Sequence, residues 1–252
     1  MAKDINVITL SNNDEKAPEV FYSIQGEGPH TGRPSTFIRT SGCNLYCYWC
    51  DTPYTWNWQA TPYAHELDRK YVKSEERSRV AKEALVNTVE GFGCKNLVLT
   101  GGEPLAQMGP LATFLEALTA VADYQVDIET NATIVPTEAF DGYVTTYVCS
   151  PKLVNSQVPE PLRIKDDAMQ WFARSPKSYF KFVVETDQDM DEVLSLIDRY
   201  RIEAERVYLM PRALDANELR GNEIEVAKKC LQYGFKYGDR LHLRLYGDGR
   251  GV

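Results

Sequence analysis

Apolar residues recur along the chain with two periods, and the switching between them predicts its elements. Val20-Phe21-Tyr22-Ser23-Ile24 and Ser35-Thr36-Phe37-Ile38-Arg39-Thr40 read as strands, separated by the turns Gln25-Gly26-Glu27-Gly28-Pro29 and Thr31-Gly32-Arg33-Pro34. Helical spacing runs from Ser74 to Gly91, with Ser74-Glu75-Glu76-Arg77 as a cap-like start and Val80, Ala84, Leu85, Thr88 and Val89 on one face. Strand 95–100 follows, then a helix with Leu111, Phe114, Leu115, Leu118 and Val121 on one side, then strands 125–130 and 143–149. Residues 153–178 are Pro-rich and irregular, with a short helix around Met169-Gln170-Trp171-Phe172. Strand 179–184, a helix marked by Val193, Leu194, Ile197 and Tyr200, strand 206–210, a helix from Leu219 to Gly234 and an alternating strand 241–245 complete the pattern. Residues 1–18 read as a polar N-terminal extension, and the aromatic stretch 53–73 as a lid or an insertion packed on its own rings.

Strands alternating with helices about every thirty residues imply right-handed βαβ units and a parallel sheet. The chain holds about six such units, fewer than a closed barrel needs. The fold class expected is α/β, a partial, open (β/α)6-like barrel formed as a single domain over residues 1–252. In such folds ligands gather at the carboxyl ends of the strands. The unusual residues of this chain stand there: the cysteine loop after strand 35–40, Gly101-Gly102-Glu103-Pro104 after 95–100, Glu129-Thr130-Asn131, Ser150-Pro151-Lys152, and Pro211-Arg212.

Composition narrows the class. With 252 residues, 43% hydrophobic, the chain can bury a proper core, and a net charge of -8 argues against a nucleic-acid-coating surface. It lacks an N-terminal signal pattern and any apolar run of membrane-spanning length, so a cytoplasmic location without membrane or nucleic-acid partners is expected. Six cysteines are too sparse for a disulfide framework. Cys94, Cys149 and Cys230 lie beside apolar residues and read as small core side chains.

The other three are organised differently. Ser41-Gly42-Cys43-Asn44-Leu45-Tyr46-Cys47-Tyr48-Trp49-Cys50-Asp51-Thr52 places three thiols in the spacing C-x3-C-x2-C, with no fourth nearby. A structural zinc site is closed by four ligands, whereas three thiolates on an iron-sulfur cubane leave one iron open. A zinc loop completed by His65 or His30 is the alternative reading of the same residues.

The spacing, with Trp49 before the third cysteine, resembles the radical S-adenosylmethionine (SAM) superfamily. There three thiolates hold a [4Fe-4S] cluster and SAM chelates the fourth iron; Gly101-Gly102-Glu103-Pro104 resembles the segment that receives the methionine amino group. Phe21-Tyr22-Ser23-Ile24-Gln25-Gly26-Glu27-Gly28, Gly32-Arg33-Pro34-Ser35-Thr36-Phe37-Ile38-Arg39, Cys50-Asp51-Thr52, Ile128-Glu129-Thr130-Asn131 and Leu241-His242 narrow the resemblance to the 7-carboxy-7-deazaguanine synthase family. It covers the chain from about residue 19 onward, except 53–95 and 153–178.

The resemblance implies conversion of 6-carboxy-5,6,7,8-tetrahydropterin to 7-carboxy-7-deazaguanine with loss of ammonia, on the route to queuosine. It implies a [4Fe-4S] cluster on Cys43, Cys47 and Cys50, and a SAM site of Trp49, Cys50, Asp51, Gly102, Glu103, Ser150, Pro151 and Lys152. Ile24, Gln25, Gly26, Glu27, Arg39, Thr100, Glu129 and His242 would surround the pterin, with Thr52 on Mg2+. A homodimer and an electron donor such as flavodoxin or ferredoxin come with it. Ala132 and Met210 stand where the family pattern expects glycine and glutamine. Two rivals use the same cysteines: an activase that makes a glycyl radical on a partner protein, and a non-catalytic iron-sulfur protein.

Overall fold

The computed structural model describes residues 4–247 and 249–252; readings that include residues 1–3 or Asp248 lie outside the described residues to that extent. In chain order the elements are β1 (Val7–Ser11), β2 (Val20–Ile24), β3 (Pro34–Thr40), β4 (Arg77–Ala81), α1 (Lys82–Gly91), β5 (Asn96–Gly101), α2 (Met108–Thr119), β6 (Gln125–Thr130), α3 (Glu138–Asp141), β7 (Thr146–Cys149), α4 (Glu160–Arg163), α5 (Asp166–Arg174), β8 (Ser178–Val184), α6 (Asp187–Tyr200), β9 (Val207–Pro211), α7 (Ala216–Tyr233), β10 (Lys236–Tyr237) and α8 (Leu241–Tyr246). One sheet runs β10-β9-β8-β7-β6-β5-β3-β1-β4, with β2 also on β3. Every pair from β3 to β10 is parallel, while β1, β2 and β4 pair antiparallel. The path ends at β4 and β10 and does not close, as the open-barrel expectation requires.

Alternation along the parallel strands divides the molecule. Ile38, Leu97, Leu99, Val126, Ile128, Tyr147, Phe180, Phe182, Val207 and Leu209 point to the helix layer and belong to one buried core with Leu85, Val89, Leu111, Phe114, Leu115 and Leu118. Each such side chain is stabilising by about 1.5–3 kcal/mol through leaving water. The intervening residues, among them Phe37, Arg39, Thr100, Glu129, Val148, Lys181 and Val183, face the concave side and line a cavity.

Three readings of the pattern are corrected. Residues 1–18 are not a plain polar extension: β1 inserts between β3 and β4, pairing five residues with β4, and Ile8 and Leu10 are fully buried. The helix expected from Ser74 begins only at Lys82. Arg77–Ala81 form a strand on β1, and Ala81 is the helix's N-cap. The alternating segment 241–245 is the helix α8. Of its three leucines only Leu243 is buried, against Ala213 and Leu219, while Leu245 is 53% exposed, so the alternation never marked a two-sided strand. Within 53–73, Tyr54, Thr55, Trp56, Asn57, His65 and Tyr71 are buried, and Tyr54, Thr55 and Trp56 also border that cavity. Cys149 and Cys230 are buried as expected, whereas Cys94 is half-buried.

The depth of β1 gives a direct test. Leu10→Ala is expected to lower the unfolding free energy by about 2–5 kcal/mol, measured by urea denaturation, an effect that a frayed N-terminal extension would not produce.

Candidate active site

The cysteine loop leaves the end of β3 and is seated on the turn that leaves β5. Gly102 N–H donates to Thr40 O at 3.1 Å and Glu103 N–H to Gly42 O at 2.9 Å. Neither glycine tolerates a side chain: a Cβ on Gly101 would meet Thr40 O at 2.2 Å, and one on Gly102 would meet Gly42 O at 2.1 Å. Gly101 also sits at φ +128°, a left-handed conformation that favours glycine. The paired glycines are therefore the flat shelf on which the loop rests.

Cys43, Cys47 and Cys50 all line the cavity. Around the sulfurs stand Leu45 N–H at 3.4 Å and Asn131 Nδ2 at 3.9 Å from Cys43, and Thr52 Oγ1 at 3.7 Å from Cys50. Burial pushes all three thiols up, Cys47 to about 12 and Cys43 further; Cys47 and Cys50 add to the rise at Cys43, Cys50 to that at Cys47, and Asp51 to that at Cys50. A cationic cluster bound between them would reverse that penalty. Among the described residues no three His, Cys, Asp or Glu side chains are gathered as tightly as a metal cage. The loop brings three soft sulfur donors to one cavity, the donor type that an iron-sulfur cluster takes. The zinc alternative fares worse. His65 has both ring nitrogens engaged, Nε2 donating to Cys50 O at 2.8 Å and Nδ1 accepting from Leu67 N–H at 3.1 Å. His30 is bound to Asp127 at 2.6 Å.

Beside the thiols, Lys152 Nζ donates to Ser150 Oγ at 3.0 Å and lies 5.4 Å from the Trp49 ring centroid. Trp49 is itself fixed by Nε1–H donating to Asn155 Oδ1 at 3.2 Å. Trp49, Asp51, Thr52, Gly102, Ser150 and Lys152 border the cavity; Glu103 and Pro151 do not. Glu103 is fully buried, accepting from Leu105 N–H at 3.0 Å, Thr130 Oγ1 at 2.8 Å and Asn131 N–H at 2.7 Å. Its carboxylate organises the turn rather than facing a ligand.

The other expected residues, Ile24, Gln25, Gly26, Glu27, Arg39, Thr100, Glu129 and His242, all reach the same cavity. Gln25 Nε2 and Thr100 Oγ1 donate to the two oxygens of Glu129 at 3.1 and 2.7 Å. Gly26 is required by α8, since a Cβ there would lie 2.5 Å from His242 Nδ1. Arg39 gives its Nε to Glu19 at 2.8 Å, and Tyr54 OH donates to Glu19 at 3.0 Å. Met210 closes part of the wall. Ala132 holds φ +60° although it is not glycine, so the turn after Asn131 is left-handed.

Several cavity residues were not anticipated: Tyr54, Lys181, Arg240 and Arg250. Lys181 had a legible signal, a lone cation at an inward position of the apolar strand Tyr179–Val184. Arg240 lies before α8 and had none. Residues 249–252 border the cavity too, with Arg250 bonded to Glu76 at 2.7 Å and set 3.7 Å from the Tyr54 ring centroid. The cavity volume is about 250 Å³, near the lower end of the roughly 300–1,000 Å³ of a pocket for one small molecule.

Comparison with known proteins gives a consistent result. The Radical SAM superfamily model matches residues 37–148. The chain is 37% identical over 235 residues to 7-carboxy-7-deazaguanine synthase of Pyrobaculum aerophilum, covering 92% of this chain and 95% of that relative. It is 34% identical over 230 residues to the Hyperthermus butylicus protein of the same name, covering 89% and 90%. The crystal structure of QueE from Escherichia coli shares the fold, with a TM-score of 0.64 over 93% of this chain and 95% of that one at 21% identity.

The shelf predicts a separable defect. Gly102→Ala is expected to cost about 1–3 kcal/mol of stability in displaced backbone, and to lower the iron and sulfide retained after anaerobic reconstitution well below the wild-type content. Wild-type iron content in a stably folded variant would show that the contact does not seat the loop.

Proposed function

The chain belongs to the 7-carboxy-7-deazaguanine synthase family of the radical SAM superfamily, and from that membership we propose that the cavity at the strand ends is its active site. The family's activity is a radical SAM lyase reaction of queuosine biosynthesis, conversion of 6-carboxy-5,6,7,8-tetrahydropterin to 7-carboxy-7-deazaguanine with loss of ammonia, and it is the activity of this chain. One observation carries the placement: the three-cysteine loop and the Gln25-Gly26-Glu27 turn, far apart in sequence, line the same cavity. Neither the glycyl-radical activase nor the passive iron-sulfur protein gives that turn a reason to be there.

Membership in the superfamily implies a [4Fe-4S] cluster and SAM. Cys43, Cys47 and Cys50 would hold the cluster, and Trp49, Asp51, Gly102, Ser150 and Lys152 would border SAM. When bound, these groups supply the radical chemistry that removes a hydrogen atom from the pterin. The chain's own residues do the positioning. Lys152, held by Ser150 and the Trp49 face, offers a cationic donor to SAM's carboxylate or hydroxyls. The bare Gly102 edge lets a ligand approach the backbone. Arg39 has its Nε taken by Glu19, so the remaining edge of the guanidinium is what a substrate carboxylate would meet. Glu129 and Glu27 are acceptors for the N–H edge of the pterin, each held by donors of its own.

Four further assignments rest on family membership: Mg2+ on the Thr52 hydroxyl, a hard oxygen donor of the kind that ion prefers; a homodimer; a flavodoxin or ferredoxin as electron donor; and a cytoplasmic setting. The free state of all six cysteines supports the last. No helix among the described residues is long and apolar enough to cross a membrane. The continuous sheet and core support reading the described chain as one radical SAM domain.

Anaerobic incubation with reductant, SAM and the carboxylated tetrahydropterin is expected to yield the deazaguanine without a protein partner. Cys47→Ala should lose both the iron-sulfur absorbance and the product. Arg39→Met should raise KM about tenfold or more, the loss of one charged hydrogen bond, with kcat changed less. A fully cluster-loaded wild type that forms no product, or a Cys47→Ala protein that does, would remove the assignment.

A further inference from the structure

Glu27 stands in the cavity wall between two cations that the sequence did not connect to it. From β8, Lys181 Nζ is hydrogen-bonded to its Oε2, and from the segment before α8, Arg240 Nε lies 3.3 Å from its Oε1. The Glu27, Lys181 and Arg240 side chains are 11%, 8% and 5% exposed, and all three border the cavity. Arg240 is in turn tied to the Asp51 carboxylate and the Ala213 carbonyl, so it is committed to the scaffold. Among the described residues Lys181 has one hydrogen-bond partner, Glu27, with Glu129 as the next acidic group in its field.

We propose that Lys181 is a substrate-positioning residue, which holds the Glu27 carboxylate ionised and aimed into the cavity as acceptor for the N–H edge of the bound pterin. This deepens the function proposed above and rests on it. A 2-amino-4-oxo heterocycle presents a ring N–H and an amino group side by side, a pair of donors that a carboxylate meets with two oxygens. Only the ionised carboxylate accepts both; once protonated it turns one oxygen into a donor and opposes the same edge. Taking a carboxylate out of water favours the protonated form. Burial indeed pushes Glu27 up, but Lys181 and Arg240 outweigh it and hold the group well below the ordinary carboxylate range.

The groups facing Glu27 are few. Lys181 faces it from β8, Arg240 and His242 from the start of α8 with His242 Nδ1 at 3.9 Å, Asp51 acts on it from the cysteine loop, and Glu129 acts on Lys181 from β6. Burial lowers His242, which weakens its hold on Glu27. Without Lys181, Arg240 would be the main cation left to oppose desolvation, while shared with Asp51. A buried ion pair kept only for stability would be an odd choice at an inward strand position, where apolar replacement is commonly neutral or stabilising. Its place on the cavity wall gives it a binding role instead.

The test uses anaerobically reconstituted enzyme and measures the dissociation constant of 6-carboxy-5,6,7,8-tetrahydropterin without reductant, alongside KM and kcat and a denaturation midpoint. Lys181→Met is expected to weaken binding about tenfold or more, the scale of a lost charged contact, raising KM more than it lowers kcat. Binding by the variant should weaken further as pH is lowered, because its Glu27 takes up a proton at a higher pH than in the wild type, whereas wild-type binding stays flat over the same range. Lys181→Arg should restore most of the affinity and the flat profile. Unchanged affinity with a flat profile in Lys181→Met would overturn the role. So would equal losses of affinity and midpoint in Lys181→Met and Lys181→Arg, which mark a merely structural pair. Failure of the wild type itself to bind the pterin would instead strike the functional reading, and this role with it.

Discussion

Where β3 and β5 end, backbone lies directly on backbone, and the site depends on that contact. Two glycines without room for a Cβ bring the β5 turn against Thr40 and Gly42, and two main-chain hydrogen bonds lock the approach. The contact does not stop there. Glu103, the next residue, takes three donors, two of them from the end of β6. Asn131 at that end reaches back to the Cys43 sulfur and to Asn44 at 2.8 Å. Three strand ends are thus joined into one polar unit with the cysteine loop inside it. Such a buried network is stabilising only when every member is satisfied, which is why a carboxylate with three donors can sit there fully enclosed.

The same strands serve two purposes because their side chains alternate. On β8, Phe180, Phe182 and Val184 lie in the helix-side core, while Lys181 and Val183 face the cavity. On β6, Val126 and Ile128 do the first and Glu129 the second. A shift of one residue in any register would exchange core for cavity, so the packing that stabilises the sheet also fixes which residues can meet a ligand. Fold and function are coupled here through the period of the strand, without any dedicated binding domain.

That coupling explains what the sequence made legible. Parallel strands buried on both faces write long apolar runs, and chemistry-bearing residues collect at their ends; the five strand ends expected to converge do line one cavity. The misses have local causes. β1 carries the alternation Ile8 and Leu10, yet its short run between polar neighbours gave no sign that β3 and β4 would flank it. At Arg77–Ala81 a strand runs straight into a helix, so Val80 fell by accident on the face of α1. In α8 the leucine spacing imitated a strand, but Gly26 O accepts from Leu241 N–H at 3.0 Å and draws the segment into a helical turn against the site. Side-chain partners were the least legible level: that Arg39 answers to Glu19, or Glu27 to Lys181, depends on which strands become neighbours, and spacing along the chain does not carry it.

Two glutamates at neighbouring strand ends show how the molecule separates scaffold from site. Glu103 is held by two backbone N–H groups and one hydroxyl, and it is fully buried. Glu129 is held by the side chains of Gln25 and Thr100, and it borders the cavity. Backbone donors are fixed by the fold and cannot be withdrawn, so a carboxylate committed to them is a structural element whatever ligand arrives. Side-chain donors can rotate and share, so a carboxylate held by them is oriented yet still able to accept from a newcomer. The identity of the donors, more than the identity of the acid, decides which of the two glutamates is available for recognition.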